Sequence, residues 1–167
     1  MKSILISFSL LLMFIGSGLA QTSVSDTATK RIFLMGEDEN QMDMLNKTYT
    51  TLLMTVCQNN MDIAYDKWMT MLTDMESYAD KLGYDIKGTK MWMNVYWDKS
   101  GNIDYIGYYL KPNSRNVKTE EFSAFLLNFV RHYRSNLTYS AKYYHNGSVS
   151  FPTHYKFLKS QEEKNKK

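Results

Sequence analysis

The side chains that could carry covalent or metal chemistry are few. The chain holds one cysteine, Cys57, and three histidines, His132, His145 and His154. A nucleophilic cysteine needs a base or cation beside it to hold the thiolate. Cys57 follows Val56 in an apolar-periodic stretch with no such neighbour, and it reads as a buried structural thiol. A lone cysteine also makes no internal disulfide and no Cys-rich zinc site. The histidines fall on a predicted helix, near a turn and on a predicted strand, with no carboxylate or cysteine at ligand spacing, so they read as separate surface side chains. Glu39 with Asp43, and Asp62 with Asp66, have the spacing of a solvated helix face rather than of an acid/base pair. No Gly-rich phosphate loop is found. The expectation is a protein that is not an enzyme and has neither cofactor nor metal.

Methionine and tyrosine are the conspicuous residue types. Eight of the 12 methionines lie between Met35 and Met75. A thioether copper site wants tight, repeated pairs; here Met42/Met44 and Met69/Met71 are two apart, which on a helix places them on different faces. Filling of irregular core gaps is the simpler role. The aromatic residues Trp92, Tyr96, Tyr105, Tyr108, Tyr109, Tyr143, Tyr144 and Tyr155 all fall on predicted strands. A tyrosine has an apolar ring and a polar end, which suits both a half-buried sheet and a binding surface. Tyr96, Tyr108, Tyr144 and Tyr155 are the candidate partner-binding residues, on a face that would meet a protein or a glycan.

The elements that must position these side chains follow from periodicity. Leu45, Tyr49, Leu52, Leu53 and Val56 recur at helical spacing over residues 41–57, and Ala64, Trp68, Met71, Leu72, Met75, Ala79 and Leu82 do so over 62–82, with Gly83 placed for a left-handed cap. Residues 58–60 separate the two stretches, so 31–89 reads as a helical hairpin. From Lys90 the period becomes two. Residues 91–97 and 103–110 read as a β-hairpin about the turn 98–102. Thr119 is a candidate cap for a helix with Glu120 and Glu121 in its first turn and a stripe of Phe122, Phe125, Leu126, Phe129, Val130 and Tyr133. Tyr139–Tyr144, an Asn146-Gly147 turn and the alternating Val149, Phe151, Tyr155 and Phe157 read as a closing hairpin, with Pro152 at an edge or bulge. The fold class is α+β: an N-terminal helical hairpin, then a β-β-α-β unit over 90–158 whose small antiparallel sheet packs on helices, then a charged tail over 159–167.

The first 20 residues have the form of an export signal: Lys2, an apolar run from Ile4 to Ile15, and small residues ending at Ala20. Residues 21–30 read as a flexible leader, and no later stretch is apolar enough to span a membrane. The 20 basic and 17 acidic residues nearly balance, which argues against a nucleic-acid binder. The protein is expected to be exported, periplasmic or secreted. Asn46-Lys47-Thr48, Asn136-Leu137-Thr138 and Asn146-Gly147-Ser148 match the N-glycosylation triplet, which carries meaning only in a eukaryotic secretory route.

Residues 91–158 resemble the C-terminal domain of TonB and its relatives in the bacterial envelope. The points of resemblance are a strand, a D-x-x-G turn (Asp98 to Gly101), a second strand, a helix opening on acidic residues, and the closing stretch NGSVSFPTHYKFLK. The family's Trp-x-Pro after the helix is replaced by Asn136 to Ala141, and no proline-rich spacer is found. What the resemblance implies is a stand-alone envelope domain that binds a partner protein, by strand addition at a sheet edge, and is not itself an energy transducer. The alternative is a small-molecule carrier in which helices close a cone-like pocket over a curved sheet.

Overall fold

The computed structural model describes residues 30–37 and 39–165. The expected export signal over 1–20 and residues 21–29 of the polar leader lie outside the described residues. The chain is α+β, and the described residues form a five-stranded mixed sheet and five helices. In chain order these are β1 (Ile32–Leu34), α1 (Glu39–Thr48), β2 (Thr51–Leu52), α2 (Leu53–Val56), α3 (Met61–Leu82), β3 (Lys90–Trp97), β4 (Ile103–Leu110), α4 (Thr119–His132), β5 (Tyr143–Ser150) and α5 (Tyr155–Asn165). The sheet order is β1-β4-β3-β5-β2. Strand β3 is antiparallel to both β4 and β5, and the short outer strands β1 and β2 run parallel to β4 and β5.

Alternation along β3 sorts the side chains onto two faces. Met91, Met93, Val95 and Trp97 point to an inner face, where they meet Ile106, Tyr108, Tyr143 and Val149 from the neighbouring strands. Helix α3 covers this face with Trp68, Met71, Leu72, Met75 and Ala79, and α4 covers it with Phe122, Phe125, Leu126, Phe129 and Val130. Both stripes were legible as helical periodicity. Asn60 caps α3 by accepting from the Ile63 N–H at 3.0 Å, and Gly83 closes it at φ +64°. Helix α4 begins at Thr119 itself, with Lys118 at the cap position and no side-chain cap, which corrects the expected role of Thr119.

The outer face is covered over part of its area by α1. Leu45 and Tyr49 press on Phe33 of β1 and Tyr96 of β3, with Met42, Tyr105 and Tyr144 at the margin. Phe33 lies against Gly107 of β4, its partner in the register. A Cβ at Gly107 would come within 2.7 Å of the Phe33 ring, so the absence of a side chain there is what lets β1 dock.

Several expectations are corrected. The stretch 41–57 is not one helix: it is α1, the two-residue strand β2, and the single turn α2. Helices α1 and α3 lie on opposite faces of the sheet, so they do not pair as a hairpin. The sheet is mixed rather than purely antiparallel, because periodicity cannot register strands as short as β1 and β2. Asn146-Gly147 is not a turn but the middle of β5; Trp68 lies 3.3 Å from where a Cβ of Gly147 would stand, and the glycine makes room for the indole. The strand ends at Ser150, before Pro152, and residues 155–165, expected to be strand and solvated tail, form α5. Among the described residues, no helix is long and apolar enough to cross a membrane.

Gly107→Val is expected to lower stability by about 1–3 kcal/mol through overpacking against Phe33, read as a lower urea midpoint. An unchanged midpoint would show that β1 is not held in this way.

Candidate functional site

The sheet has two edges, and they differ in how many backbone groups are already used. On the β1 side, the Ile106 N–H donates to the Arg31 carbonyl and the Met35 N–H to that of Tyr108. Arg31, Phe33 and Met35 therefore bond inward, and Lys30, Ile32 and Leu34 face out. Gln41 takes both groups of Lys30, accepting from its N–H at 3.2 Å and donating to its carbonyl at 2.7 Å. The Leu34 carbonyl accepts from Glu37 N–H. Both groups of Lys30 and the Leu34 carbonyl are thus taken from within.

Beyond the short β2, the opposite edge is open among the described residues. The Phe151 N–H donates to the Thr89 carbonyl at 3.0 Å, which fixes the parity of the ladder: the odd residues of β5 bond to β3 and the even ones face away. Strand β2 pairs only with Tyr143 and Tyr144. Asn146, Ser148 and Ser150 are left with outward N–H and C=O groups, and all three are exposed. All eight residues of β5 pair with β3.

Beside the open edge lies the part of the outer face that α1 does not cover. Trp92 and Tyr109, 52% and 51% exposed, are direct cross-strand partners, and Ser148 lies on the other side of Trp92. Lys111, just past the end of β4, stretches across this row. Its ammonium stands 4.3 Å from the centre of the Trp92 ring and donates to Ser148 Oγ at 2.5 Å. A cation over an indole face is a favourable placement.

The four candidate tyrosines do not share a surface. Tyr96 and Tyr144 stack on the outer face, rings 6.2 Å apart, where α1 buries Tyr96 and leaves Tyr144 half-buried. Burial raises the Tyr96 pKa above its ordinary value. Tyr108 is on the inner face, fully buried; its hydroxyl donates to the Thr119 carbonyl at 3.2 Å and shares a hydrogen bond with Ser123 Oγ at 2.8 Å. It ties α4 to the sheet and meets no solvent. Tyr155 is on α5, not on a strand, and its hydroxyl donates to Asp66 at 2.7 Å. The exposed pair Trp92 and Tyr109 is among the strand aromatics visible in the sequence, but neither is one of the four candidate binding residues.

Other side chains with chemical potential are placed in structural roles. Tyr49 donates to Asp104 at 2.5 Å, and Lys142 pairs with the same carboxylate at 3.0 Å, clasping α1 to the sheet. Burial first, then the Asp104 hydrogen bond and charge, push the Tyr49 hydroxyl well above its usual pKa. Cys57 is buried, and burial raises its thiol pKa, the opposite of what a nucleophile requires. The histidines are dispersed: His132 bonds to Tyr78, His145 lies tilted against Trp68 with ring centres 4.6 Å apart, and His154 is exposed ahead of α5. Among the described residues, no group of three or more His, Cys, Asp or Glu could hold a metal ion.

Helix α5 is held to α3 through Asp66, which accepts from both Lys159 and Tyr155. The Lys159 contact, then the Tyr155 hydroxyl, keep the Asp66 carboxyl below the usual range, and the Tyr155 phenol is pushed up to about 12, mainly by burial. Because the folded pKa is depressed, this tether is complete above the unpaired value of about 3.9 and is lost as pH falls through the lower folded value. Amide exchange over 155–165 is expected to speed up in that acid window, and in Asp66→Asn at neutral pH. Equal protection in the variant would show that the carboxylate does not hold the helix.

Compared with family models, with curated proteins and with solved structures, the chain finds no match in any of the three.

Proposed function

We propose that this chain is an exported, non-catalytic protein-interaction domain of the bacterial cell envelope, not itself an energy transducer, that binds an extended segment of a partner protein along the open edge of β5. The observation that carries this reading is the row of outward backbone groups at Asn146, Ser148 and Ser150 beside an exposed Trp92-Tyr109 pair. Strand addition takes its affinity from main-chain hydrogen bonds and its selectivity from alternate side chains. Each such bond contributes about 0.5–1.5 kcal/mol net, and ordering the peptide offsets much of that. The edge alone therefore gives weak binding, and side-chain anchors on the adjoining face must supply the rest.

The carrier alternative is less well supported. The space between sheet and helices is filled by Met75, Met91, Met93, Tyr108, Phe122 and Leu126, all fully buried. The clefts beside α5, of about 320 and 720 Å³, open on the surface rather than under the sheet.

Asn146→Pro removes an outward N–H without breaking the ladder to β3, since a proline is tolerated where a strand N–H faces solvent. Peptides selected from a random display library against the chain are expected to protect the Asn146, Ser148 and Ser150 amides from exchange. They should lose binding to Asn146→Pro while the melting temperature stays within a few degrees. Peptide binding that leaves those amides unprotected, or that survives the proline, would overturn the reading.

A further inference from the structure

We infer that the segment taken by the β5 edge carries an Asp or Glu side chain opposite Ser148, and that its carboxylate pairs with the Lys111 ammonium. This rests on the strand-addition reading above and adds the chemistry of the ligand.

The charge on this face is one-sided. From the Lys90 end of β3 to Asn94, the outer face and its margin present, among the described residues, two cations, Lys90 and Lys111, and no carboxylate. Lys118, Lys142 and Lys159 each pair with a carboxylate in the fold. Among the described residues no carboxylate pairs with Lys111; its ammonium is held by the Trp92 ring and the neutral Ser148 hydroxyl. The lysine thus spans from the end of β4 across β3 to β5 and delivers its charge at the open edge.

Strand geometry sets the reach. A strand added to β5 lies about 4.8 Å away, and the residue directly opposite Ser148 points to the same face with its Cβ about 5 Å from that of Ser148. A carboxylate on one or two methylenes from there meets an ammonium already in contact with Ser148 Oγ. The Trp92 ring, 4.3 Å from the ammonium, holds it on the Ser148 side of the row.

Two other occupants fit this surface less well. A sugar would stack on the indole face, which the Lys111 ammonium covers. A second copy pairing antiparallel along β5 would be related by an axis perpendicular to the sheet, and would bring a second Lys111 onto the same face with no counter-charge.

The test uses a library-selected peptide whose binding protects the Asn146, Ser148 and Ser150 amides, scanned by single carboxylate-to-amide changes (Glu→Gln or Asp→Asn), with wild-type chain and Lys111→Gln. One such change is expected to weaken binding to wild type about five-fold or more and to have no further effect on Lys111→Gln, and added salt should narrow the difference. The peptide-side comparison on wild type stands even if Lys111→Gln melts early. Edge protection with no dependence on any peptide carboxylate overturns this inference and leaves strand addition standing; loss of edge protection overturns both. Edge amides protected in the peptide-free chain in a concentration-dependent dimer assign the edge to a second copy. Oligosaccharide binding that is lost in Trp92→Ala assigns the face to a glycan.

Discussion

Strand β3 is paired on both sides: Met91–Trp97 to β4, with a shift of register between Tyr96 and Trp97, and all eight residues to β5, and this double pairing decides which side chains face which layer. A one-residue slip of either neighbour would exchange its inner and outer sets and place polar groups in the core. The packing of α3 and α4 against Met91, Met93 and Val95, and of α1 against Tyr96, both presuppose the register that β3 fixes. The shape of the exposed face follows from the same register, since Trp92 and Asn94 are outward because Met91 and Met93 are inward.

Tyrosine hydroxyls do much of the fastening between layers. Tyr108 reaches from the sheet to Thr119 and Ser123 of α4, Tyr143 donates to the Leu137 carbonyl in the loop beyond α4, and Tyr49 joins α1 to Asp104 and Lys142. In each case the ring supplies buried apolar area and the hydroxyl finds a partner, as a buried polar group must. The abundance of tyrosine is therefore first a property of the scaffold.

The sequence was most legible where a period runs long. The stripes of α3 and α4, the alternation of β3 and β4, the turn at Asp98 and the left-handed cap at Gly83 all follow from spacing and residue type. The misreadings have physical causes. Strands β1 and β2, three and two residues long, exist because neighbouring strands offer them partners, which no local pattern records. Asn146-Gly147 carries the dipeptide of a tight turn, but the glycine serves the indole of Trp68, a contact made across more than seventy residues of chain. Alternation over 149–157 continues past Pro152 by coincidence of composition, while Tyr155 and Lys159 are spaced to meet Asp66 from a helix. The open edge was beyond sequence reasoning altogether, because it depends on where β2 stops. What the sequence did show of the site was its raw material, the outward Trp92 and the aromatic run of β4.

The unequal treatment of the two edges bears on how the molecule can assemble. At one end Gln41 offers Lys30 a donor and an acceptor in the positions that a neighbouring strand would use, so a side chain stands in for a missing strand. At the other end, no such substitute covers Asn146, Ser148 and Ser150 among the described residues. Growth of a sheet into a filament requires each subunit to join at two places, and Gln41 stands where one of those joints would begin.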